Sequence, residues 1–204
     1  MMPAPRALGR ALALSAVSVA WGALVGSIAV VLAVATGSLS LLGFGMDSAI
    51  DAGASVVLMW RFLIERRHPH RAERVERVAE GAVGLALAAL AVYLLAGASS
   101  ALLAGDQPER SDAATVLLIA SVVFLPGLSI AKWRVARRLS SRALRADSLL
   151  TGVAGLLAGI GLVSTLVTAW FGLWWADAVA AIVVAALVAP EAVGAIRSAR
   201  SPAE

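Results

Sequence analysis

Six long apolar runs restrict the fold of this chain more than any other feature of its sequence. A helix needs about 20 residues to cross a hydrocarbon core about 30 Å thick, and each run is long enough. Apolar residues make up 60% of the chain and charged residues only 15%, so a water-soluble fold of this size could not bury its apolar surface. We therefore predict an all-α polytopic membrane protein, since helices satisfy their own backbone hydrogen bonds in lipid. The predicted transmembrane helices cover residues 13–35, 40–63, 79–102, 113–133, 144–170 and 174–196.

The basic residues predict which side of the membrane each connection faces. Counting Lys and Arg over alternate connections and the two tails gives 16 on one side, and only Arg110 falls on the other. Basic residues stay on the cytoplasmic side, so we expect both chain ends in the cytoplasm. Lys132 is counted here in the connection after the fourth helix. We expect residues 1–204 to form one transmembrane domain without a soluble domain, in a plasma membrane or a bacterial inner membrane.

Composition also excludes several kinds of chemistry. The chain has no cysteine, so a bound metal must be held by carboxylate, imidazole, hydroxyl or backbone oxygen. The sequence pI is about 10.9, but the basic residues lie beside the apolar runs, where they meet anionic lipid headgroups. We therefore expect no nucleic-acid partner. No predicted helix contains a nucleophile paired with a base, so we also expect no enzymatic activity and no prosthetic group.

Two aspartates lie in the middle of the second apolar run. Asp47 and Asp51 are four residues apart, which places both carboxylates on one helix face, about one turn apart. Burying two neighbouring anions is costly unless a cation, a proton or water compensates them. The alternative is a pair held protonated or paired with a basic residue on another helix, but no Lys, Arg or His lies in the middle of a predicted span. We therefore predict that Asp47 and Asp51 bind a cation.

Three further acids are weaker candidates. Asp147 and, one turn later, Thr151 offer oxygen ligands near the cytoplasmic end of the fifth helix. Asp147 either joins the cation site or its access path, or pairs with Arg142 or Arg145 in the first turn of its helix. Asp177 is interpreted as an N-terminal acid of the sixth helix, and Glu191, after Pro190, as a solvated interfacial acid with a role in a gate as the alternative.

His68 and His70 form the other candidate metal-binding pair. They lie between the second and third helices, and imidazole is a common metal ligand. The surrounding arginines disfavour cation binding, so the alternative is a basic loop on the membrane surface. Both histidines are kept as secondary candidates.

The stretch from Gly45 to Ser55, followed by Trp60-Arg61-Phe62, resembles the second helix of the cation diffusion facilitator family of metal transporters, with its Asp-x-x-x-Asp half-site. Residues 141–147 are similar to that family's start of the fifth helix, and residues 175–182 to its start of the sixth. The resemblance covers nearly the whole chain. It implies a homodimer that exports a divalent metal ion, zinc as first choice, by alternating access in exchange for protons.

Two departures from the family pattern qualify this expectation. The family has a His-x-x-x-Asp half-site on the fifth helix, which would fall on Leu150 and Ala154, and neither side chain can bind a metal ion. A cytoplasmic metal-sensing domain is also missing, which makes the chain most similar to a short six-helix subgroup. An oxygen-only site shifts preference toward harder ions such as manganese or magnesium. The alternative function is a non-transporting membrane subunit or regulatory protein with a degenerate metal site.

Overall fold

The protein is a bundle of six α-helices in a computed structural model that describes residues 5–65, 69–106, 108–139 and 142–200. The predicted all-α, six-helix fold is confirmed. Among the described residues, five helices are long and apolar enough to cross a membrane, and α2, which carries Asp47 and Asp51, is not one of them. The helices are α1 (Pro5–Thr36), α2 (Leu39–Glu65), α3 (Pro69–Ala104), α4 (Asp112–Leu139), α5 (Arg142–Phe171) and α6 (Ala176–Arg200).

The position of α2 in the bundle explains how it carries two acids. It packs against four of the other five helices, α1, α3, α5 and α6. Around it, α3 packs extensively against α6, and α4 against α5. Phe44 of α2, Leu157 of α5 and Val184 of α6 are fully buried at the centre of the apolar core. The outer faces of the bundle are apolar and exposed, as at Val34, Leu103 and Trp170, which is the surface that lipid covers. The aspartates of α2 are thus surrounded by protein instead of lipid.

Small residues bring α1 very close to α2. A Cβ atom on Gly22 would lie 2.9 Å from the carbonyl oxygen of Ser48, and one on Gly26 would lie 3.0 Å from that of Gly45. Glycine at four-residue spacing allows such backbone approach. This contact covers a face of α2 beside the aspartates and fixes the position of that helix.

The connections at one end of the bundle are joined by hydrogen bonds. The helices α1, α3 and α5 are each followed directly by a glycine with positive φ, namely Gly37, Gly105 and Gly172. Glycine is common at this position because it has no Cβ. At the same end, Asp177 in the first turn of α6 accepts hydrogen bonds at the start of α2. We call this the capped end of the bundle. The opposite end, where α2, α4 and α6 finish, is called the basic end.

The fourth helix differs from its predicted extent in a way that matters for the site. It continues to Leu139 instead of ending at Trp133, and Lys132 lies inside it with 0% of its side chain exposed. Lys132 was counted in the basic connection after the fourth helix, although it also fell at the end of the predicted span 113–133, and its side chain is buried. Its burial has a physical reason, since an acid on α5 pairs with it.

Candidate functional site

Asp47, Asp51 and Ser55 follow one another at four-residue intervals along one face of α2, toward the basic end. Asp47 is buried, with 6% of its surface exposed, and Asp51 is partly buried. The Oδ1 atom of Asp51 is buried and has no hydrogen-bond partner among the described residues. A buried carboxylate oxygen without a donor is costly unless a cation, a proton or water meets it. Asp51 is therefore the acid on α2 most in need of a ligand.

The neighbouring charges show which helices face this pair. Asp47 is within electrostatic reach of Asp51 and of Glu191 on α6. Asp51 is in addition within reach of Asp147 on α5 and Lys132 on α4. Glu191 is half-buried, so the interpretation of this residue as a solvated interfacial acid neglected its proximity to the pair. The candidate site thus lies between α2, α5 and α6, with α4 behind α5.

Asp147 is buried at the level of Ser55, one turn from Asp51. The Ser55 hydroxyl donates a hydrogen bond of 3.0 Å to its Oδ1 atom, and the Nζ atom of Lys132 lies 2.8 Å from its Oδ2 atom. The cation described beside Asp147 is Lys132, which the sequence analysis did not name as a partner; the side chain of Arg142, one of the two expected partners, lies outside the described residues.

Thr151 belongs to the same cluster. Its hydroxyl accepts a hydrogen bond of 2.8 Å from the Nζ atom of Lys132 and donates one of 2.9 Å to the backbone carbonyl of Asp147. A helical threonine commonly bonds the carbonyl four residues earlier. The Thr151 oxygen is thus directed to the ammonium group in this arrangement.

Other candidates do not come together with the aspartate pair. Among the described residues, no group of three or more His, Cys, Asp or Glu side chains is arranged to hold one metal ion. His68 lies outside the described residues, as does the side chain of His70. Leu150 is partly buried and Ala154 is buried, on the same face of α5 as Asp147 and Thr151.

Asp177 has a different environment from the acids of the candidate site. Its Oδ1 atom accepts hydrogen bonds from the hydroxyls of Ser38 (2.7 Å) and Ser40 (2.5 Å), and its Oδ2 atom accepts one from the backbone N–H of Leu39 (2.7 Å). Its oxygens are therefore already occupied. Asp177 acts as a helix acid, as expected, and in addition it caps the N-terminus of α2 from a different helix.

Sequence reasoning missed Lys132 and underrated Glu191. One signal for Lys132 was present: it is the only lysine of the chain, and all other basic residues besides the histidines are arginines. It directly follows the apolar run that ends at Ala131, so it lies within reach of the bundle interior. For Glu191 the signal was Pro190 before it, within a helix that continues to Arg200.

Similarity to known proteins agrees with this architecture. Residues 7–201 match the model of the cation efflux transmembrane domain. A protein of Synechocystis sp. that is named an uncharacterized transporter is 27% identical over 145 residues, which are 66% of this chain and 46% of that protein. The chain therefore spans less than half the length of this relative. The family match extends over nearly all described helices, which confirms the resemblance drawn from α2, α5 and α6. The chain therefore belongs to the cation efflux transmembrane domain family, whose members cross the membrane several times.

Proposed function

We propose that this chain exports a divalent metal ion from the cytoplasm, with zinc as the first choice and Asp47 and Asp51 as the primary ligands. The observation that carries the proposal is the buried Oδ1 atom of Asp51, which has no hydrogen-bond partner among the described residues and belongs to an aspartate pair inside the bundle. A divalent cation compensates both carboxylates at once. Family membership supports cation transport, and waters or backbone oxygens would complete the shell around the two aspartates.

Alternating access and proton exchange form the mechanistic part of this proposal. An ion arriving at the basic end meets the partly buried Asp51 before the more deeply buried Asp47. A proton on either carboxylate weakens metal binding, and a bound metal disfavours protonation. Protons entering from the capped end would therefore displace the metal ion. A homodimer is the assembly that we expect from the family pattern.

The test is metal flux in proteoliposomes, using the purified full chain. Asp47→Asn and Asp51→Asn keep the side-chain size and remove one charge each, and we expect each to lower Zn²⁺ flux by about tenfold or more, as befits loss of a charged ligand. Asp112→Asn is the matched control, because Asp112 is exposed in the first turn of α4. Unchanged Zn²⁺ and Mn²⁺ flux in both site variants would contradict the proposal.

A second function is favoured by one specific observation. Leu150 and Ala154 cannot bind a metal ion, and the described residues contain no cluster of three ligating side chains. A membrane subunit without transport activity would have these properties. The same flux assay separates the two functions, because a subunit of this kind gives liposomes no Zn²⁺ or Mn²⁺ flux above that of empty vesicles.

A further inference from the structure

Lys132 is a buried cation in the interior of a membrane bundle. None of its side chain is exposed, and its ammonium group lies 2.8 Å from the Oδ2 atom of Asp147 and 2.8 Å from the Oγ1 atom of Thr151. A buried ammonium costs free energy that its partners must offset. The arrangement joins α4 to α5 immediately beside the aspartate pair.

The Lys132 charge reaches the aspartate pair through two routes. Its partner Asp147 accepts a hydrogen bond from Ser55, which lies one turn beyond Asp51 on α2. Asp51 is also within direct electrostatic reach of both Lys132 and Asp147. Lys132 therefore attracts Asp147 and, at the same time, repels a cation bound at Asp51.

We propose that Lys132 is an affinity-determining residue, a built-in cation that keeps Asp147 out of the coordination shell of the transported metal ion. This inference rests on the function proposed above. Asp47, Asp51, Asp147 and Lys132 carry a formal charge of −2 when all are ionised, so Lys132 cancels one of the three negative charges that these aspartates present to a divalent ion. Glu191, half-buried and within electrostatic reach of Asp47 and Asp51, adds a further negative charge when it is ionised.

The consequence for transport is a site that can release its ion. Two carboxylates hold a divalent ion less tightly than three, and the ammonium group weakens the binding further by repulsion. Without the Lys132 charge, Asp147 becomes free to turn toward the ion bound at Asp51. The ion is then bound more tightly and leaves more slowly.

The test compares three variants of the full chain in detergent: Lys132→Met, Asp147→Asn and the double variant. Methionine approximates the length of the lysine side chain without its charge, and the probe is Zn²⁺ in equilibrium dialysis. We expect Lys132→Met to bind Zn²⁺ about tenfold or more tightly and Asp147→Asn about tenfold or more weakly, because the charge beside Asp51 changes in opposite directions. The double variant restores the formal charge and should lie within about threefold of the parent.

A purely structural ion pair gives a different pattern. Both single variants would then unfold at lower temperature without metal, while their Zn²⁺ affinities would stay equal to that of the parent, and this result would overturn the inference. A double variant as weak as Asp147→Asn would also overturn it, since Asp147 would then be a direct ligand. If Lys132→Met fails to fold without metal, Zn²⁺ should restore its folding; failure to do so refutes the proposal.

The effect of Lys132 on transport and the assignment of Asp51 as a metal ligand are tested by separate measurements. Lys132→Met should lower the maximal Zn²⁺ flux in proteoliposomes while lowering the Zn²⁺ concentration needed for half-maximal flux. Asp51→Asn in an otherwise unchanged chain tests the aspartate site alone. If Asp51→Asn binds Zn²⁺ as tightly as the parent, the proposed function fails, whatever the Lys132 variants show.

Discussion

Buried aspartates in this bundle differ in what meets their oxygens. Asp177 accepts hydrogen bonds from two hydroxyls and from the start of α2, and Asp147 is held by Ser55 and Lys132. Asp51 has a buried oxygen without a partner among the described residues. Burial alone therefore does not identify a candidate ligand, since protein donors compensate two of these three acids. The Asp51 oxygen has neither a hydrogen bond nor an ion pair among the described residues, which separates this proposed ligand from Asp147 and Asp177. Asp47 is proposed as a ligand because it lies one turn from Asp51 on the same face of α2.

Leu150 offers a direct test of the incomplete half-site. It lies on the face of α5 that carries Asp147 and Thr151, at the position where the family pattern has a histidine. Leu150→His should increase binding of Zn²⁺ relative to Mn²⁺ by roughly tenfold, because imidazole suits zinc and manganese prefers oxygen ligands. Competition dialysis with both ions measures this ratio. Leu149→His is the matched control, because Leu149 is 64% exposed; an equal change in both variants would contradict the expectation.

The candidate site could be predicted only in part from the sequence. Asp47 and Asp51 were identifiable because two acids within an apolar run have few structural explanations. Lys132 was not, because it begins a series of basic residues that normally marks the membrane surface. Which acid pairs with which base depends on the packing of α4 against α5, and single-sequence periodicity does not contain that information.

At the scale of helices, the contact between α1 and α2 supports the site from behind. Gly22 and Gly26 lie against the α2 backbone near Ser48 and Ala49. Gly155 likewise packs against Leu125 and Pro126 of α4. Backbone atoms cannot move aside as a flexible side chain does, so α1 sets the position of the segment that carries Asp47 and Asp51.

Gly22→Ala should therefore destabilise the bundle and disturb the site. The added Cβ would lie 2.9 Å from the carbonyl oxygen of Ser48, so α1 and α2 must separate. We expect a loss of about 1–2 kcal/mol in the free energy of unfolding, after the gain in helix propensity, together with weaker Zn²⁺ binding. Thermal unfolding in detergent and Zn²⁺ dialysis measure both effects.

The matched control for Gly22 is another glycine of the same fold. A Cβ atom added by Gly159→Ala in α5 has no neighbour within 4 Å. This variant should therefore keep or increase the free energy of unfolding. Equal destabilisation by both substitutions would contradict the packing argument. Four-residue spacing of glycines alone does not predict a close helix contact, because Gly159 follows Gly155 at that spacing and only Gly155 packs closely against another helix.

The existence of each helix could be predicted from the sequence because long apolar runs leave few alternatives. The residues at which the helices begin and end were harder to predict. The structure starts α3 at Pro69 instead of Ala79 and extends α4 to Leu139. Both extensions are rich in charged side chains and lie beyond the apolar run. Hydropathy locates the part of a helix in lipid, whereas backbone hydrogen bonding continues into the interface until a break occurs.

For the whole molecule, hydrogen bonds join several helices and connections at the capped end of the bundle. At the capped end, the N–H of Glu109 donates a hydrogen bond of 2.7 Å to the carbonyl of Thr36, and the Nη2 atom of Arg110 donates one to the carbonyl of Ala169. Asp177 ties α6 to the start of α2 at the same end. The proposed export toward the capped end would require these contacts to open, as alternating access demands.

Proton exchange is the part of the proposed function that the carboxylate site predicts most directly. A proton and a divalent ion compete for Asp47 and Asp51, so acid on the side where Zn²⁺ binds should slow its transport. Acid on the opposite side should accelerate transport, because protons arriving there displace the ion. Proteoliposomes with an imposed pH gradient and a Zn²⁺ indicator measure both effects, and an ionophore that collapses the gradient should remove them.

Asp51→Asn should abolish the Zn²⁺-dependent proton movement, while Asp112→Asn should retain it. Zn²⁺ flux that ignores the direction of the gradient would rule out exchange and leave a passive pathway, in which the aspartates bind the metal ion without coupling it to protons.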